Sequence, residues 1–467
     1  MTRTSDIAIV GMSCLFPGSP GLRAFWENIL ARRSCIGDHP APEALRSLQP
    51  DSKDFERIYT IRGGFLGDAS RFDPLEYGIM PASVEGGDPD HFLALRVARE
   101  ALEDAGLGPG HPSGERTDVI LGHGTFTNPG FTNHVFHADV LDQVIDLLRE
   151  IHPEYTAEEL DAIWRRMRDS LPPLDAQVLP AIIPNVIAGR ISNRLNLMGT
   201  SHIVDGACAS TLLAVNYGVM NLQSDRCDVA LVGGSQACLL PPTFMVFCNI
   251  GALSRQSQPR PFDASADGTL LGEGLGMMVL MRREDAERDG HRIYALVKEV
   301  GVASDGKSKG LLAPRLEGEA LAIARAYRRS GIDPATVHLI EAHGTGIPLG
   351  DRTEVQALTQ VFGPRNGRAA DCALGSVKSM VGHCLPAAGA ASLIKTALAL
   401  RHKILPATLG VERPHPDLGL DRTRFYVNTE TRPWVHRGGP APRRAGVSAM
   451  GFGGINCHCI LEEHAGS

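Results

Sequence analysis

Long apolar segments are missing from this 467-residue sequence. It has no run of about eighteen apolar residues, no secretory h-region and no targeting signal, so we expect no membrane span and predict a cytoplasmic protein. Its ten cysteines are scattered without the regular spacing of a disulfide framework. That distribution fits a reducing compartment better than a disulfide scaffold.

An excess of positive charge is also absent. The net charge is −7, with 46 Lys and Arg against 53 Asp and Glu, which argues against general nucleic-acid binding. No tandem repeat is visible, and no Pro/Gly-rich segment is long enough to be a flexible domain linker. With 43% apolar residues the chain can bury a sizeable core, and its length alone suggests two or three domains.

Paired metal-ligand motifs are lacking as well. Cys457, His458, Cys459 and His464 form a cluster that suggests zinc. Residues 456–462, however, have the pattern of a β-strand, which turns both cysteines to one face and His458 to the other. No second ligand pair of the usual spacing accompanies them, so we predict that no metal is bound.

What the sequence does contain is a cysteine in a position suited to covalent catalysis. Residues 201–204 end a predicted strand, and apolar residues at helical spacing predict a helix over 209–223. Cys208 therefore lies in a small-residue turn at a helix start, where free backbone N–H groups and the helix dipole favour the thiolate. Such a turn resembles a nucleophile elbow. The alternative is a buried, inert cysteine.

Two histidines occupy matching turns further along the chain. His343 follows the apolar run 337–340 in a glycine-rich loop, ahead of a helix predicted to begin near Thr353. His383 lies between a predicted strand and a small-residue helix that starts at Pro386. In an open α/β sheet, ligands gather beyond the carboxyl ends of the strands. A cysteine with two histidines on such turns is the general pattern of covalent catalysis.

These motifs resemble the β-ketoacyl synthases, the condensing domains of fatty acid and polyketide synthases. The resemblance covers nearly the whole chain in family order. Besides the motifs around Cys208, His343 and His383, it includes IAIVGMSCLFPG at 7–18, FDP at 72–74, EALEDAG at 100–106, RPFD at 260–263, DG at 267–268, GEG at 272–274 and GFGGIN at 451–456. Residues 75–81 and 156–171 look most like iterative type I synthases of glycolipids and polyunsaturated acyl chains.

The resemblance implies the thiolase-like α/β fold, in which two similar βαβαβ halves form a five-layered αβαβα core. It places one ketosynthase domain at 4–465, with an N-terminal half at about 4–282 and a C-terminal half at about 283–465. A capping box at Thr156 and Glu159 predicts a helix over 156–171. In the family this region lies near a two-fold axis, which implies a homodimer.

The resemblance also assigns catalytic roles. Cys208 would attack an acyl thioester carried on the phosphopantetheine of an acyl carrier protein, while the N–H groups of Cys208 and Phe452 hold the oxyanion. His343 and His383 would stabilise the enolate that forms when a malonyl thioester loses carbon dioxide. The product would be a β-ketoacyl chain two carbons longer. The domain itself would bind no cofactor, and the family often continues into a linked acyltransferase.

Neighbouring residues would support this chemistry. Lys378 would orient the histidine pair, with Glu354 and Asp351 balancing its charge; the alternative is a surface salt bridge. Phe452 would be a hinge that opens the acyl cavity, because glycines flank it. The alternative for Phe452 is a core aromatic in a tight turn.

Substrate binding is the feature in which the chain departs from the family pattern. The predicted substrate-binding residues are Thr345, Ile347, Met450 and Gly453. Ile347 replaces a threonine that normally meets the phosphopantetheine arm, so we expect the arm to be held more weakly. Met450 replaces the usual Phe, which changes the expected shape of the acyl cavity.

Four other interpretations are open at this point. A thiolase would share the fold and the nucleophile but would carry a second cysteine before the C-terminal glycines, where this chain has none. A chain-length partner subunit would lack the nucleophile. A non-elongating synthase, which only passes acyl chains along, would typically lose a catalytic histidine. A cysteine hydrolase would release free acid from an acyl thioester without forming a carbon–carbon bond.

Overall fold

A computed structural model describes residues 6–40, 48–51, 54, 57–108, 111–124, 128–307, 310–365, 369–435 and 441–464. The strands in these ranges are β1 Ile7–Leu15, β2 Ile36–Gly37, β3 Gly63–Gly64, β4 Thr117–His123, β5 Ser201–Val204, β6 Val229–Gln236, β7 Leu271–Gly272, β8 Gly274–Arg282, β9 Ala295–Ser304, β10 Leu339–Glu341, β11 Cys372–Gly375, β12 Ile404–Leu405, β13 Phe425–Val427, β14 Arg432–Pro433, β15 Arg444–Gly451 and β16 Ile455–Glu462. The helices are α1 Leu22–Leu30, α2 Asp90–Asp104, α3 Pro129–Val135, α4 Leu141–Ile151, α5 Ala157–Arg168, α6 Val186–Leu195, α7 Ser210–Gln223, α8 Pro241–Asn249, α9 Arg283–Arg288, α10 Leu316–Ser330, α11 Pro348–Phe362, α12 Lys378–Val381 and α13 Ala388–His402. The predicted domain ends, Thr4 and Ala465, lie outside the described residues.

One topology is repeated in the two halves of the main sheet. Eleven strands are hydrogen-bonded in the order β13-β11-β10-β15-β16-β9-β1-β8-β6-β4-β5. Outward from β1 the pairings to β8, β6, β4 and β5 are antiparallel, antiparallel, parallel and parallel. Outward from β9 the pairings to β16, β15, β10 and β11 follow the same sequence. This duplication confirms the predicted thiolase-like architecture.

Three hydrophobic clusters define five layers. The largest cluster lies between the two halves of the sheet and includes α7 and α13. A second cluster packs α2 and α6 on the N-terminal half, and a third packs α10 and α11 on the C-terminal half. α13 is buried along nearly its whole length, as expected for a helix with apolar and small residues on every face. Its Gly389 lets it approach α7, since a Cβ there would lie 2.6 Å from Leu212 Cδ1.

The local predictions agree with the structure in most places. The strand at 201–204 and the helix that follows it are β5 and α7. The capping box is present, with Thr156 Oγ1 accepting from Glu159 N at 3.2 Å and Glu159 Oε2 accepting from Thr156 N at 2.8 Å. Helix α9 begins at Arg283, next to the predicted boundary between the two halves.

Two boundaries were predicted wrongly. The helix expected near Thr353 begins earlier, because Pro348 occupies its first position, where a missing N–H costs nothing. One-turn helix α12 separates His383 from strand β11, and a short 3-10 turn, Leu385–Ala387, precedes α13. Helix α12 ends before His383 because Gly382 has a φ of 80°, a backbone region that favours glycine.

The alternatives of a membrane span and a zinc site find no support in the described ranges. None of the helices there is both long and apolar enough to cross a bilayer. His458 is buried with one ring nitrogen 3.0 Å from Ser448 Oγ and the other 3.2 Å from Tyr327 Oη. His464 instead pairs with Glu287 at 3.0 Å. Hydrogen bonding therefore accounts for these histidines without a metal.

Candidate active site

Cys208 lies on a strained turn between β5 and α7. The turn is a short 3-10 segment, Ala207–Ala209, and Ala207 has a φ of 50° in the left-handed region that disfavours non-glycine residues. Ser210 holds the turn, because its Oγ accepts from Gly206 N at 2.9 Å and donates to Ala207 O at 2.6 Å. The predicted elbow is therefore present, and it directs Cys208 into a cavity.

The structure brings Cys208 together with both predicted histidines. His383 Nε2 lies 3.1 Å from Cys208 Sγ. The rings of His343 and His383 are 5.4 Å apart between centroids and nearly perpendicular, at 84°. All three side chains line one cavity of about 260 Å³.

Backbone hydrogen bonds set the tautomer of each histidine. Leu385 N donates to His383 Nδ1, and Met450 N donates to His343 Nδ1, each at 3.3 Å. Burial lowers the pKa of both rings well below the ordinary range, and the charge of Lys378 lowers it further. Each ring is therefore neutral with its proton on Nε2. The site thus presents two N–H donors beside the sulfur.

Burial makes Cys208 a thiol in this structure. Its side chain is 5% exposed, and burial raises the pKa of the thiol to about 11. Lys378 and the N–H groups of Cys208 and Phe452 act in the opposite direction without overcoming burial. The sequence-based expectation of a favoured thiolate is therefore wrong. The two predicted oxyanion donors do approach the sulfur.

Lys378 is buried at the start of α12, so the surface salt bridge is excluded. Burial lowers the pKa of its ammonium group, while the charges of Glu341 and then Glu354 oppose that shift. Glu341 also bonds Lys395 Nζ at 2.7 Å and accepts from Val377 N at 2.6 Å. Sequence analysis assigned Glu341 no role. Its role could have been suspected from the sequence, because Glu341 is a carboxylate at the end of the apolar strand that leads to His343.

Glu354 and Asp351 shape the loop that carries His343. Glu354 accepts from His343 N at 2.8 Å and from Gly344 N at 2.9 Å. Asp351 accepts from Phe262 N at 2.7 Å, and its other oxygen accepts from two N–H groups of the loop. Both oxygens of Asp351 are thus engaged by the backbone. The prediction that Asp351 balances Lys378 is therefore corrected to a role in holding the loop.

Most of the predicted substrate-binding residues line the cavity. Thr345, Ile347 and Met450 line it, as does the predicted hinge residue Phe452, whereas Gly453 does not. Gly453 donates its N–H to Leu311 O at 3.1 Å, so that donor is engaged within the protein, and its contact with substrate stays a prediction. Phe452 is 37% exposed and stacks on Phe247 with 5.7 Å between ring centroids. It closes one side of the cavity and is not a core aromatic.

Chemically, the arrangement suits acyl transfer through a covalent intermediate. A thiol faces a ring N–H, and two backbone N–H groups converge on the sulfur. A carbonyl carbon attacked by that sulfur would place its oxygen near these donors. The second histidine offers another N–H in the same space.

Comparison with known proteins agrees with this geometry. Residues 4–286 match the family model "Beta-ketoacyl synthase, N-terminal domain", and residues 294–412 match "Beta-ketoacyl synthase, C-terminal domain". A polyunsaturated fatty acid synthase from Thraustochytrium sp. is 36% identical over 98% of this chain and 16% of its own length. Polyketide synthase PksN of Bacillus subtilis is 35% identical over 98% of this chain and 8% of its own length. The chain thus spans a small part of these relatives.

Solved structures of similar sequence share the fold over nearly the whole chain. A ketosynthase from module 6 of the bacillaene synthase of Bacillus subtilis has a TM-score of 0.83 at 32% identity, covering 98% of this chain and 72% of that one. The oxazolomycin ketosynthase domain from Streptomyces albus has a TM-score of 0.85 at 31% identity, covering 99% of this chain and 74% of that one. The chain therefore belongs to the β-ketoacyl synthase family.

Proposed function

We propose that this chain catalyses the decarboxylative Claisen condensation of a Cys208-bound acyl chain with a malonyl thioester on a carrier protein. One observation carries the proposal. Cys208 Sγ lies 3.1 Å from His383 Nε2, and His343 stands beside this pair with its own Nε2–H available. One nucleophile with two neutral N–H donors matches a reaction that needs covalent storage followed by enolate stabilisation.

The first half-reaction transfers the acyl group to Cys208. Cys208 Sγ attacks the thioester carbonyl as its proton leaves, and the N–H groups of Cys208 and Phe452 stabilise the oxyanion. The phosphopantetheine thiolate departs and takes up one proton. Because burial raises the thiol pKa to about 11, proton removal must accompany the attack. With its proton on Nε2, 3.1 Å from the sulfur, His383 stabilises the developing negative charge while the thiol proton passes to the departing thiolate.

The second half-reaction forms the carbon–carbon bond. The malonyl thioester loses carbon dioxide, and the electron pair of the broken bond forms an enolate. The Nε2–H groups of His343 and His383 donate to the enolate oxygen. The enolate carbon attacks the acyl carbonyl, and the Cys208 thiolate leaves and is protonated. Neutral histidines suit this step, because each ring already carries an Nε2–H that can donate to the enolate oxygen.

The proposed partners follow from the carrier-bound substrates. Phosphopantetheine on an acyl carrier protein delivers both thioesters, and the domain itself needs no bound cofactor. The relatives are much longer than this chain, which supports linkage to an acyltransferase and other synthase domains. Polyketide and polyunsaturated fatty acid synthases match at 35% and 36% identity. We assign the proposed reaction to the acyltransferase class. We place the protein in the cytoplasm.

A homodimer is part of this proposal. Strand β5 is the last strand of the sheet, and among the described residues it pairs only with β4. The adjacent helix α7 exposes Tyr217 and Met220, at 42% and 52%. An open strand edge beside an apolar helix face favours pairing with a second copy. This edge also carries the Cys208 turn, so dimer formation would stabilise the site.

The test measures the two half-reactions separately. Cys208→Ala should abolish the acyl adduct seen by intact mass spectrometry after exposure to acyl-carrier thioesters. His343→Ala and His383→Ala should still load an acyl group yet lose condensation with malonyl carrier by about a hundredfold or more.

Two other cysteines provide controls. Cys238→Ala and Cys384→Ala should both still form the adduct, because neither side chain lines the cavity. An adduct that persists on Cys208→Ala would overturn the nucleophile. Acyl transfer without any condensation by the wild-type protein would favour the non-elongating synthase, and rapid release of free acid would favour a hydrolase.

A further inference from the structure

An acidic side chain outside the catalytic group lines the same cavity. Glu319, in the first turn of α10, is 2% exposed, and its Oε2 makes no hydrogen bond with any residue in the described ranges. Buried carboxyl oxygens normally have partners, because an unpaired one carries its full desolvation cost. The fold therefore retains an unsatisfied polar atom in the wall of the substrate cavity.

The other acids of this wall are engaged by protein groups. Asp351 and Glu354 accept backbone N–H groups of the His343 loop. Asp305 accepts from Asn456 Nδ2 at 2.7 Å. Glu319 thus differs from its neighbours in having an oxygen available to a ligand.

Close packing holds Glu319 in place. The preceding residue, Gly318, presses against Asp305 and Asn456, and a Cβ there would clash with Asp305 Oδ1 and lie 2.9 Å from Asn456 Nδ2. The first turn of α10 is therefore fixed against the Asp305–Asn456 pair. A fixed, unpaired polar group is preorganised to bind a ligand.

The protonation state of Glu319 limits the chemistry of that ligand. Burial, together with the nearby charges of Glu354 and Asp305, raises the pKa of Glu319 well above its ordinary value. A raised pKa favours the carboxylic acid, which has one O–H donor and one carbonyl acceptor. No Lys or Arg is among the described residues that line the cavity. These properties suit a neutral polar ligand such as an amide.

We propose that Glu319 is a substrate-binding residue that hydrogen-bonds an amide of the phosphopantetheine arm. The inference rests on the proposed function, which brings this arm through the cavity to Cys208. The arm carries two amides along its length, whereas the acyl chain is largely hydrocarbon and suits the apolar cluster of Cys208, Phe244, Phe247 and Leu385.

Two features near Glu319 place it beside the arm. Leu311 and Leu312 line the same cavity and are 81% and 54% exposed, so this wall extends to the mouth through which the arm enters. Ile347 packs against the apolar cluster and has no side-chain hydrogen-bonding group. Glu319 supplies a polar contact that Ile347 does not.

The experiment compares variants across substrates with successively shorter arms. We expect Glu319→Leu to raise the KM for Cys208 acylation by acyl-pantetheine about two- to tenfold, the loss of one hydrogen bond. Glu319→Gln, which keeps a donor and an acceptor, should retain the wild-type KM. With an acyl alkyl thioester that has no amide, wild-type and Glu319→Leu proteins should have equal KM values. An N-acetylcysteamine thioester, with one amide, shows which amide is bound.

The control is Glu317, two residues earlier on the same helix, whose side chain is 70% exposed and paired with Arg315. Glu317→Leu should leave every KM unchanged. The Tm of Glu319→Leu should equal or exceed that of the wild type, because a buried unpaired carboxyl is removed. Glu319→Met is a second apolar variant of similar size should the leucine protein fail to fold.

The assignment would be overturned if Glu319→Leu raised the KM by the same factor for substrates with and without an amide in the arm. If the Tm of Glu319→Leu were lowered as well, Glu319 would be a structural residue. A Glu319→Gln protein as impaired as Glu319→Leu would contradict it too. Failure of the wild-type protein to acylate Cys208 is a separate outcome, since it overturns the proposed function and this inference with it.

Discussion

Cys208, His343 and His383 owe their protonation states to the same cause, which is burial. It raises the pKa of the thiol to about 11 and lowers the pKa of both imidazoles well below their ordinary range. A neutral thiol beside neutral rings is the lower-energy state, because a thiolate–imidazolium pair would place two charges in a site that water barely reaches.

Alkylation of Cys208 by iodoacetamide should therefore rise with pH. A raised thiol pKa leaves the thiolate scarce at neutral pH, so the rate should climb about tenfold per pH unit from about pH 7 to about pH 10. Peptide mass spectrometry follows this site separately from the other cysteines. Lys378→Met should slow the reaction near neutral pH, because the lysine charge lowers the thiol pKa, and the difference should shrink at high pH as the lysine loses its proton. A rate that is flat below about pH 8 would indicate a preformed ion pair.

Ile347 is the residue at which substrate affinity should differ most from the family pattern. Its side chain packs against the apolar cluster around Cys208, and its N–H donates to Thr345 Oγ1 at 3.3 Å. Ile347→Thr adds a hydroxyl to the cavity wall and should lower the KM for small pantetheine thioesters several-fold. Turnover with the cognate carrier protein should change little, because docking of the carrier supplies most of that affinity.

Steady-state kinetics with both kinds of substrate test this expectation. Ile151→Thr, on the exposed face of α4 outside the cavity, is the matched control and should have no effect. If Ile347→Thr abolishes condensation, Ile347 shapes the acyl channel and is not a substitute for a missing contact.

At the scale of elements, the turn between β5 and α7 depends on one hydroxyl. Ser210 bridges Gly206 N and Ala207 O, and its side chain is fully buried. These two bonds hold Ala207 in its left-handed conformation, which positions Cys208. In the second half, His343 lies in the loop after β10, and His383 follows helix α12 beyond the end of β11.

Ser210→Ala should lower the free energy of unfolding by about 1–3 kcal/mol, because it removes two hydrogen bonds and leaves the Gly206 N–H without its partner. Acylation should slow as well, since Cys208 is no longer held in one orientation. Urea unfolding and the acylation rate measure the two effects. Ser224→Ala is the control: this exposed serine bonds Met220 O at the other end of α7, and its loss should change neither quantity. Normal acylation by a destabilised Ser210→Ala protein would show that the turn survives without the bridge.

At the scale of the whole molecule, both halves contribute to one cavity. Cys208 comes from the N-terminal half, and both histidines come from the C-terminal half. The halves are joined through β1–β9 pairing and the central helices α7 and α13. An outer edge at β5 remains beside the nucleophile turn, which is where we place the second copy.

The wild-type protein should be a dimer by size-exclusion chromatography with light scattering. Met220→Arg and Tyr217→Arg should shift it to a monomer, because a two-fold interface brings the introduced charge near its own copy. Leu321→Arg, on the outer helix α10, should leave the dimer intact. A wild-type monomer at micromolar concentration would contradict this interface.

The sequence alone determined the residues of the chemistry and the type of fold. Cys208 and His343 each follow a strand and precede a helix, and His383 precedes the small-residue helix α13; these local patterns can be recognised without tertiary contacts. The capping box that begins α5 was predictable for the same reason, since its bonds join neighbours in the chain. The family resemblance supplied the duplicated thiolase-like architecture.

Only the tertiary structure decided the energetics and partners of those residues. Burial reversed the expected thiolate, and the backbone occupied both oxygens of Asp351. Glu341 lies beside Lys378, the Gly453 N–H bonds Leu311 O, and Glu319 Oε2 has no partner in the described ranges. Desolvation and long-range hydrogen bonds depend on segments far apart in the chain, so a local pattern determines which residue is present but not which charge it carries.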